Sequence, residues 1–545
     1  MTKLLSSSYS IFLFIFLLVF LSPVLFVFSS IFTTNYETWN HLSQTVLLTY
    51  VINSLYLLVG VGLGTAVLGV ATGWLVSACQ FPGRSVWEWL LLLPLASPAY
   101  LLAYVYTELL AYYGPVQSFL RNLFGWQNVN DYWFPNIRSL GGGILMLVLV
   151  LYPYVYLLSR VAFLEQSICT MEASRSLGAN PWRSFWRVAL PLARPSIVSG
   201  LSLALMETLN DYGTVQFFGI DTFTTGIFRT WFGLGERQTA MQLAAVLMVI
   251  VLWLILLESW FRRQSRFYQN FQLQRSPLRY SLKGFRAALA IGICVLPILL
   301  GFGLPLVLLA KLAWENKSAG LDFVILSRNS FILAVMAGVL GAVLGTVLAY
   351  IKRIGRDRLI QSSLQIASLG YAIPGSVIAV GTLVPLGSLD QWLNQVTSQS
   401  IGFRPGLIFS GTIFALIFAY LVRFLAVPLN SINGSLEKVK PHLDEAAQSL
   451  GKSRSAILYR VHTPLVWGSI LTGALLMFVD VMKELPATLV MRPFNWETLA
   501  VRVYQYAADE RLGEAAAPAL AILAVGVIPV FILSWQITRT RGHNK

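Results

Sequence analysis

The sequence predicts an all-α membrane protein with twelve transmembrane helices, arranged as two parallel six-helix halves. Three observations carry this. Apolar residues make up 56% of the 545 residues and charged residues only 12%, against ~25% charged in an average soluble chain. Twelve apolar stretches are long enough to cross a bilayer. One polar segment occurs twice, at 172–200 (EASRSLGANPWRSFWRVALPLARPSIVSG) and 445–473 (EAAQSLGKSRSAILYRVHTPLVWGSILTG), with twelve of 29 aligned positions identical.

In chain order the expected spans are 11–33, 46–78, 87–113, 140–159, 197–216, 240–260, 286–310, 330–350, 361–386, 406–426, 468–489 and 518–538. The first exceeds the roughly 7–15 apolar residues of a signal peptide and lacks an A-x-A site, so it reads as a span. Placing the N-terminus inside puts 27 of the 39 Lys and Arg in inside segments and 11 in outside loops, with Lys483 within a span. That bias predicts cytoplasmic N- and C-termini and puts both copies of the repeated segment in the cytoplasm.

The richest basic stretch, 261–285, joins span six to span seven. It divides the chain into a first half at 1–260 and a second at 286–545. Further matches extend the duplication: Asn53-Ser54 with Asn329-Ser330, Gly69 with Gly345, Pro98 with Pro374, and Thr225 and Arg229 with Thr498 and Arg502. Six spans is an even number, so both halves enter the membrane in the same sense and the repeat is parallel. Gly60/Gly64 and Gly341/Gly345 are four apart, a spacing that lets helices approach closely.

The net charge of +15 is spread over short loops. No basic domain exists to follow a phosphate backbone, so nucleic acid is not an expected partner and membrane lipid is. Cys79, Cys169 and Cys294 form no CxxC pair, and the four His are scattered, so no metal cluster is expected. No catalytic grouping of His, Asp and Glu appears in the loops, which argues against an enzyme. Gly451-Lys452-Ser453 ends like a phosphate-binding loop, but the Gly required five residues earlier is Ala446.

Each repeated segment reads as two short helices joined by a sharp turn. Gly178 and Gly451 suit the left-handed position after a helix end. Asn180, followed by Pro181, and Ser453 suit the N-caps of the second helices. Two apolar sets accompany the turns: Leu177, Trp182, Phe185 and Trp186, then Leu450, Ile457, Leu458 and Tyr459. A repeated element of this kind either packs on the spans or fits a partner.

The pattern Glu-Ala-x3-Leu-Gly, then an aliphatic-rich helix and Pro, resembles the EAA loop of membrane subunits of binding-protein-dependent ABC importers. The resemblance covers nearly the whole chain as two fused permease halves of the type I importer fold, with loops at 165–195 and 438–468. It implies that Glu172, Ala173, Gly178, Trp182, Glu445, Ala446, Gly451 and Ile457 mark the contacts with a cytoplasmic ABC ATPase homodimer. The first copy departs from EAA at Ser174. The chain itself is then expected to bind no cofactor, with ATP and Mg held by the ATPase.

Charged residues inside spans are costly and are functional candidates by default. Glu207 and Asp211 in span five align with Asp480 and Glu484 in span eleven. Each pair is spaced i, i+4, which would set both carboxylates on one helical face. Two readings stand. The carboxylates line a translocation path suited to a cation, since hard cations prefer oxygen ligands. Alternatively they are structural, with Lys483 neutralising Asp480 or Glu484 and the others capping broken helix ends.

ETLNDYGT at 207–214 and residues 483–512 resemble the ferric-iron importer permeases. That implies import of ferric iron through a bacterial inner membrane, fed by a periplasmic ferric-binding protein. Thiamine, polyamine and phosphonate permeases share the architecture and remain alternatives. An ion-gradient-driven secondary carrier is a further one, opposed by the doubled loop.

Overall fold

A computed structural model describes residues 2–32, 36–166, 176, 178, 180–263, 279–316, 321–355 and 358–542. Each of the twelve apolar stretches is helical over most of its described residues. Eight form helices long and apolar enough to cross a membrane, and four more are helix pairs bent at a break.

The bends correct the simple count. The third stretch, expected as one span over 87–113, is Arg84–Ala96 followed by Ala99–Phe124 at 90°. The ninth, expected over 361–386, is Ile360–Ala372 followed by Gly375–Ser400 at 109°. Pro98 and Pro374 sit at the two corners with extended backbone, each beginning the helix that follows. Proline lacks an N–H and disfavours the helical conformation of the residue before it, so an apolar run breaks there. The tenth and eleventh stretches bend by 46° and 70°.

The chain packs as two compact units, and these cut across the two sequence halves. One comprises 1–39, 227–248 and 320–502. The other comprises 40–226, 249–319 and 503–545. Within the second, Leu47–Ala78, Leu140–Glu165 and Leu190–Asn210 pack against one another. Within the first, Leu321–Ile354, Ala426–Leu436 and Trp467–Met482 make the same three-helix arrangement.

The repeat is visible in the packing at matched positions. A Cβ on Gly200 would lie 2.8 Å from the Val155 Cα, and one on Gly473 would lie 2.7 Å from the Pro428 Cα. Only glycine permits that approach. The Asn53 side-chain amide donates to the Asp221 carbonyl at 2.9 Å, and that of Asn329 donates to the Glu497 carbonyl at 3.2 Å.

Flanking spans complete each unit. The first helix, Thr2–Ser29, packs on Gly375–Ile401. Its Leu13 and Phe16 join a buried cluster with Leu348, Ile360 and Leu364. The last helix, Leu512–Gly542, packs on Leu304–Glu315 and on the turn Leu93–Ala96. A second cluster joins Tyr152 and Tyr156 to Ala290, Cys294 and Val530. The first helix thus finds its partner in the other half of the sequence, while the last packs on elements of both halves.

Most of the basic linker, 264–278, lies outside the described residues. Beyond it Tyr280–Ser281 pairs in parallel with Cys79–Gln80, a two-residue strand pair absent from the all-helical expectation.

Candidate functional site

The second repeated element is fully traced. His442–Ser449 is helical, and Gly451 follows its end with φ of +72°. Gly451 N–H donates to the Gln448 carbonyl at 2.9 Å and Lys452 N–H to Ala447 at 3.1 Å, closing the helix end. The Ser453 hydroxyl accepts from Ala456 N–H at 3.3 Å, the expected cap of Arg454–Ile457. Glu445, Ala446, Leu450 and Tyr459 are exposed. Ile457 is a correction: it is 2% exposed, so its side chain holds the element to the unit and offers no surface to a partner.

Beneath this element sits an ionic clamp that sequence reading missed. One Asp444 oxygen meets His462 Nε2 at 2.5 Å, and the other accepts from Arg353 Nε at 2.8 Å. Arg353 also donates to the Leu436 and Val439 carbonyls. His462 is fully buried, with Tyr350 edge-on at 5.4 Å. Asp444 therefore ties the exposed helix to Leu321–Ile354 and to the return helix.

In the first copy, Glu172 and Ala173 lie outside the described residues. Gly178 has φ of +80°. The Asn180 side chain accepts from Arg183 N–H at 2.8 Å, the expected cap. Trp182 is 69% exposed and Trp186 is exposed too. Phe185 turns inward against Trp74 at 5.0 Å. A buried cluster of Phe163, Phe185, Ala189 and Ala193 holds this copy, with Ala189 where the other has His462. Both copies then pass through a π-turn at matched residues, Phe185–Ala189 and Leu458–His462. Such turns are uncommon and are enriched at functional sites.

The candidate path residues lie at two matched breaks. Leu190–Asn210 ends before Asp211, and Trp467–Met482 ends before Glu484. The expectation that each carboxylate pair shares one helical face therefore fails, because the second acid has left the helix to cap the next. Asp211 accepts from Thr214 N–H and Val215 N–H at 3.1 Å each, and from the Thr214 hydroxyl at 2.9 Å. Glu484 accepts from Ala487 N–H and Thr488 N–H at 2.9 Å each, and from the Thr488 hydroxyl.

The two breaks differ in charge. Glu484 pairs with Arg423 at 2.7 Å, both buried. Lys483 pairs with Asp480 at 3.0 Å. Val150 occupies the first-half position matching Arg423, and neither Asp211 nor Glu207 has an ion-pair partner among the described residues. Glu207 receives the Asn210 side-chain amide at 3.4 Å. Arg423 too was missed by sequence reading. A lone Arg inside IFALIFAYLVRFLAV was the available signal.

Residues 66–264 match the family described as "Binding-protein-dependent transport system inner membrane component". The chain is 26% identical to the Fe(3+)-transport system permease protein FbpB 2 of Haemophilus influenzae, over 88% of each chain. It is 22% identical to the ferric transport system permease protein FbpB of Actinobacillus pleuropneumoniae, over 92% of this chain and 73% of that one. The molybdenum transport system permease protein ModB of Escherichia coli is 26% identical over 41% of this chain and 94% of its own length.

With the doubled element and the twelve apolar stretches, these matches make the chain similar to permease subunits of binding-protein-dependent ABC importers, which are translocation components and not enzymes. Within that class, similarity along most of the chain is to permeases named for ferric transport, while ModB is similar to a single half.

Proposed function

We propose that this chain is the membrane-translocation subunit of an ATP-driven importer of ferric iron. The observation that carries the reading is similarity over both halves to a permease named for Fe(3+) transport. In this reading the chain lies in the bacterial inner membrane with both termini cytoplasmic. A periplasmic ferric-binding protein delivers the cargo, and a cytoplasmic ATPase homodimer holds ATP and Mg. Glu172, Ala173, Gly178 and Trp182 of one copy, with Glu445, Ala446 and Gly451 of the other, meet that dimer.

Movement begins at the exposed turns and passes through the π-turns into the helices that end at Asp211 and Glu484. ATP shifts the equilibrium only by binding one conformation more tightly than the other. Glu207 and Asp211, without an ion-pair partner among the described residues, border the route of the cargo. Asp480, Lys483 and Glu484 are already charge-balanced and shape the other break.

The test is uptake of radiolabelled ferric iron by cells with the gene deleted and then restored, with thiamine and molybdate uptake in parallel. Loss of ferric uptake alone, restored by the intact chain but not by charge reversal of Glu172 and Glu445 together, is the expected result. Unimpaired ferric uptake in the deletion, with other ferric routes removed, overturns the substrate.

A further inference from the structure

Phenol side chains gather at the first-half break. Tyr100 and Tyr104 lie on Ala99–Leu110, Tyr212 follows Asp211, and Tyr504 lies on Leu499–Ala508. The Tyr212 and Tyr504 hydroxyl oxygens are 3.2 Å apart. The Tyr104 ring lies 5.7 Å from Tyr100 and meets Phe217 edge-on at 4.5 Å. Tyr104 lies within electrostatic reach of Tyr100, Tyr212, Tyr504 and Asp211.

Tyr104 is 2% exposed, and its hydroxyl has no hydrogen-bond partner among the described residues. Leaving such a group unsatisfied costs ~1–3 kcal/mol, so a buried orphan of this kind needs an explanation. Asp211 beside it has no ion-pair partner among the described residues.

The fold does not demand this polar surplus. At the matched break in the other repeat, Val380 and Leu485 stand where Tyr104 and Tyr212 stand here. There the acid is closed off by Arg423. One repeat thus balances its acid with its own cation, beside the Tyr420–Thr488 hydroxyl pair. In the other, three phenols gather and Asp211 has no ion-pair partner among the described residues.

We propose that the Tyr104, Tyr212 and Tyr504 hydroxyls, with the Asp211 carboxylate, form a transient oxygen-ligand site for the transported ferric ion. This rests on the ferric reading above. Hard cations take oxygen ligands. A small octahedral cation with metal–oxygen bonds of ~2.0–2.1 Å places adjacent ligands ~3 Å apart, close to the Tyr212–Tyr504 spacing. On binding, two phenols exchange their protons for iron–oxygen bonds and the protons pass to water. Two phenolates and Asp211 balance the three positive charges, the third phenol stays protonated, and iron remains ferric throughout. Reprotonation of the phenols releases the ion.

The experiment titrates ferric nitrilotriacetate into the purified full chain in lipid nanodiscs. It follows visible absorption and the phenolate modes in resonance Raman. A tyrosinate-to-iron charge-transfer band is expected, reduced by at least half in Y212F and separately in Y504F, and weakened in Y104F and D211N. Each variant removes a hydroxyl or a charge while keeping shape, and its elution profile and thermal midpoint report folding. Tyr212 precedes the helix Gly213–Phe217 and Tyr504 lies within Leu499–Ala508, so failure of one variant to fold leaves the other decisive. Absence of the band in the intact chain, or its persistence in the triple Phe variant, overturns the site. If cells carrying the intact chain still take up ferric iron, the ferric reading survives that failure. Absence of ferric uptake sinks the reading itself.

Discussion

Replacing Arg423 with Met tests how the second break is held together. Glu484 and Arg423 have side chains only 1% and 6% exposed, at 2.7 Å. Glu484 keeps its donors from Ala487 and Thr488 in the variant, but its charge is no longer matched. One-sided disruption of a buried pair costs ~3–5 kcal/mol. The backbone donors favour the lower end of that range. Neutralising both partners, as R423M/E484Q, removes the unmatched charge and is expected to recover most of the loss, leaving ~1–2 kcal/mol. D211N serves as the control at the matched break. With no ion pair to lose, it weakens only charge-assisted hydrogen bonds and costs ~1 kcal/mol. Unfolding of the purified chain in mixed micelles with increasing dodecyl sulfate, read by midpoint and slope, ranks the variants. An R423M chain as stable as wild type, or a double variant no better than R423M, refutes the argument.

The clamp gives a second prediction: D444N in the assembled complex lowers coupled transport about tenfold, equivalent to ~1.4 kcal/mol, while ATP hydrolysis persists. Hydrolysis and transport falling in equal proportion would count against it. G451A forces a side chain into a left-handed turn with no atom within 4 Å of the new Cβ. It should cost ~1 kcal/mol from conformation alone, seen as increased proteolysis of 442–457. Asp131, in the loop before Leu140–Glu165, accepts from Asn128 N–H at 2.8 Å and Gln127 N–H at 2.7 Å. These hold its carboxyl below the usual carboxylate range. A depressed folded-state value means that its contribution is present above the unfolded pKa and fades as pH falls through the folded one. Trp126, stacked on Tyr132 at 4.6 Å, reports this as an acid fluorescence change missing from D131N.

The twelve apolar stretches, the turn glycines and the caps Asn180 and Ser453 were legible because each depends on residues a few positions apart. The right-angle corners were not, although Pro98 and Pro374 stood in view, because hydropathy runs on unbroken through them. Ile457 was misplaced for a related reason. In a four-residue helix, apolar character does not tell which side faces inward. The clamp joins Arg353, Asp444 and His462 across distances in sequence that local reading does not bridge. At the breaks, i, i+4 spacing suggested a shared face, but Asp211 and Glu484 serve the helices that follow.

The exchange of flanking spans bears on how the chain is built. Thr2–Ser29 is made first, yet packs on Gly375–Ile401. At common elongation rates the intervening chain takes roughly 20–70 s to synthesise. During that interval the first helix resides in lipid without its partner, and the unit it completes stays open. The last helix, Leu512–Gly542, joins the other unit only after the linker and the spans of the second half have been made. Neither unit reaches its final packing from one half alone. A ribosome that stalls in the linker releases a product with its spans inserted and both units unfinished, a ready substrate for membrane quality control.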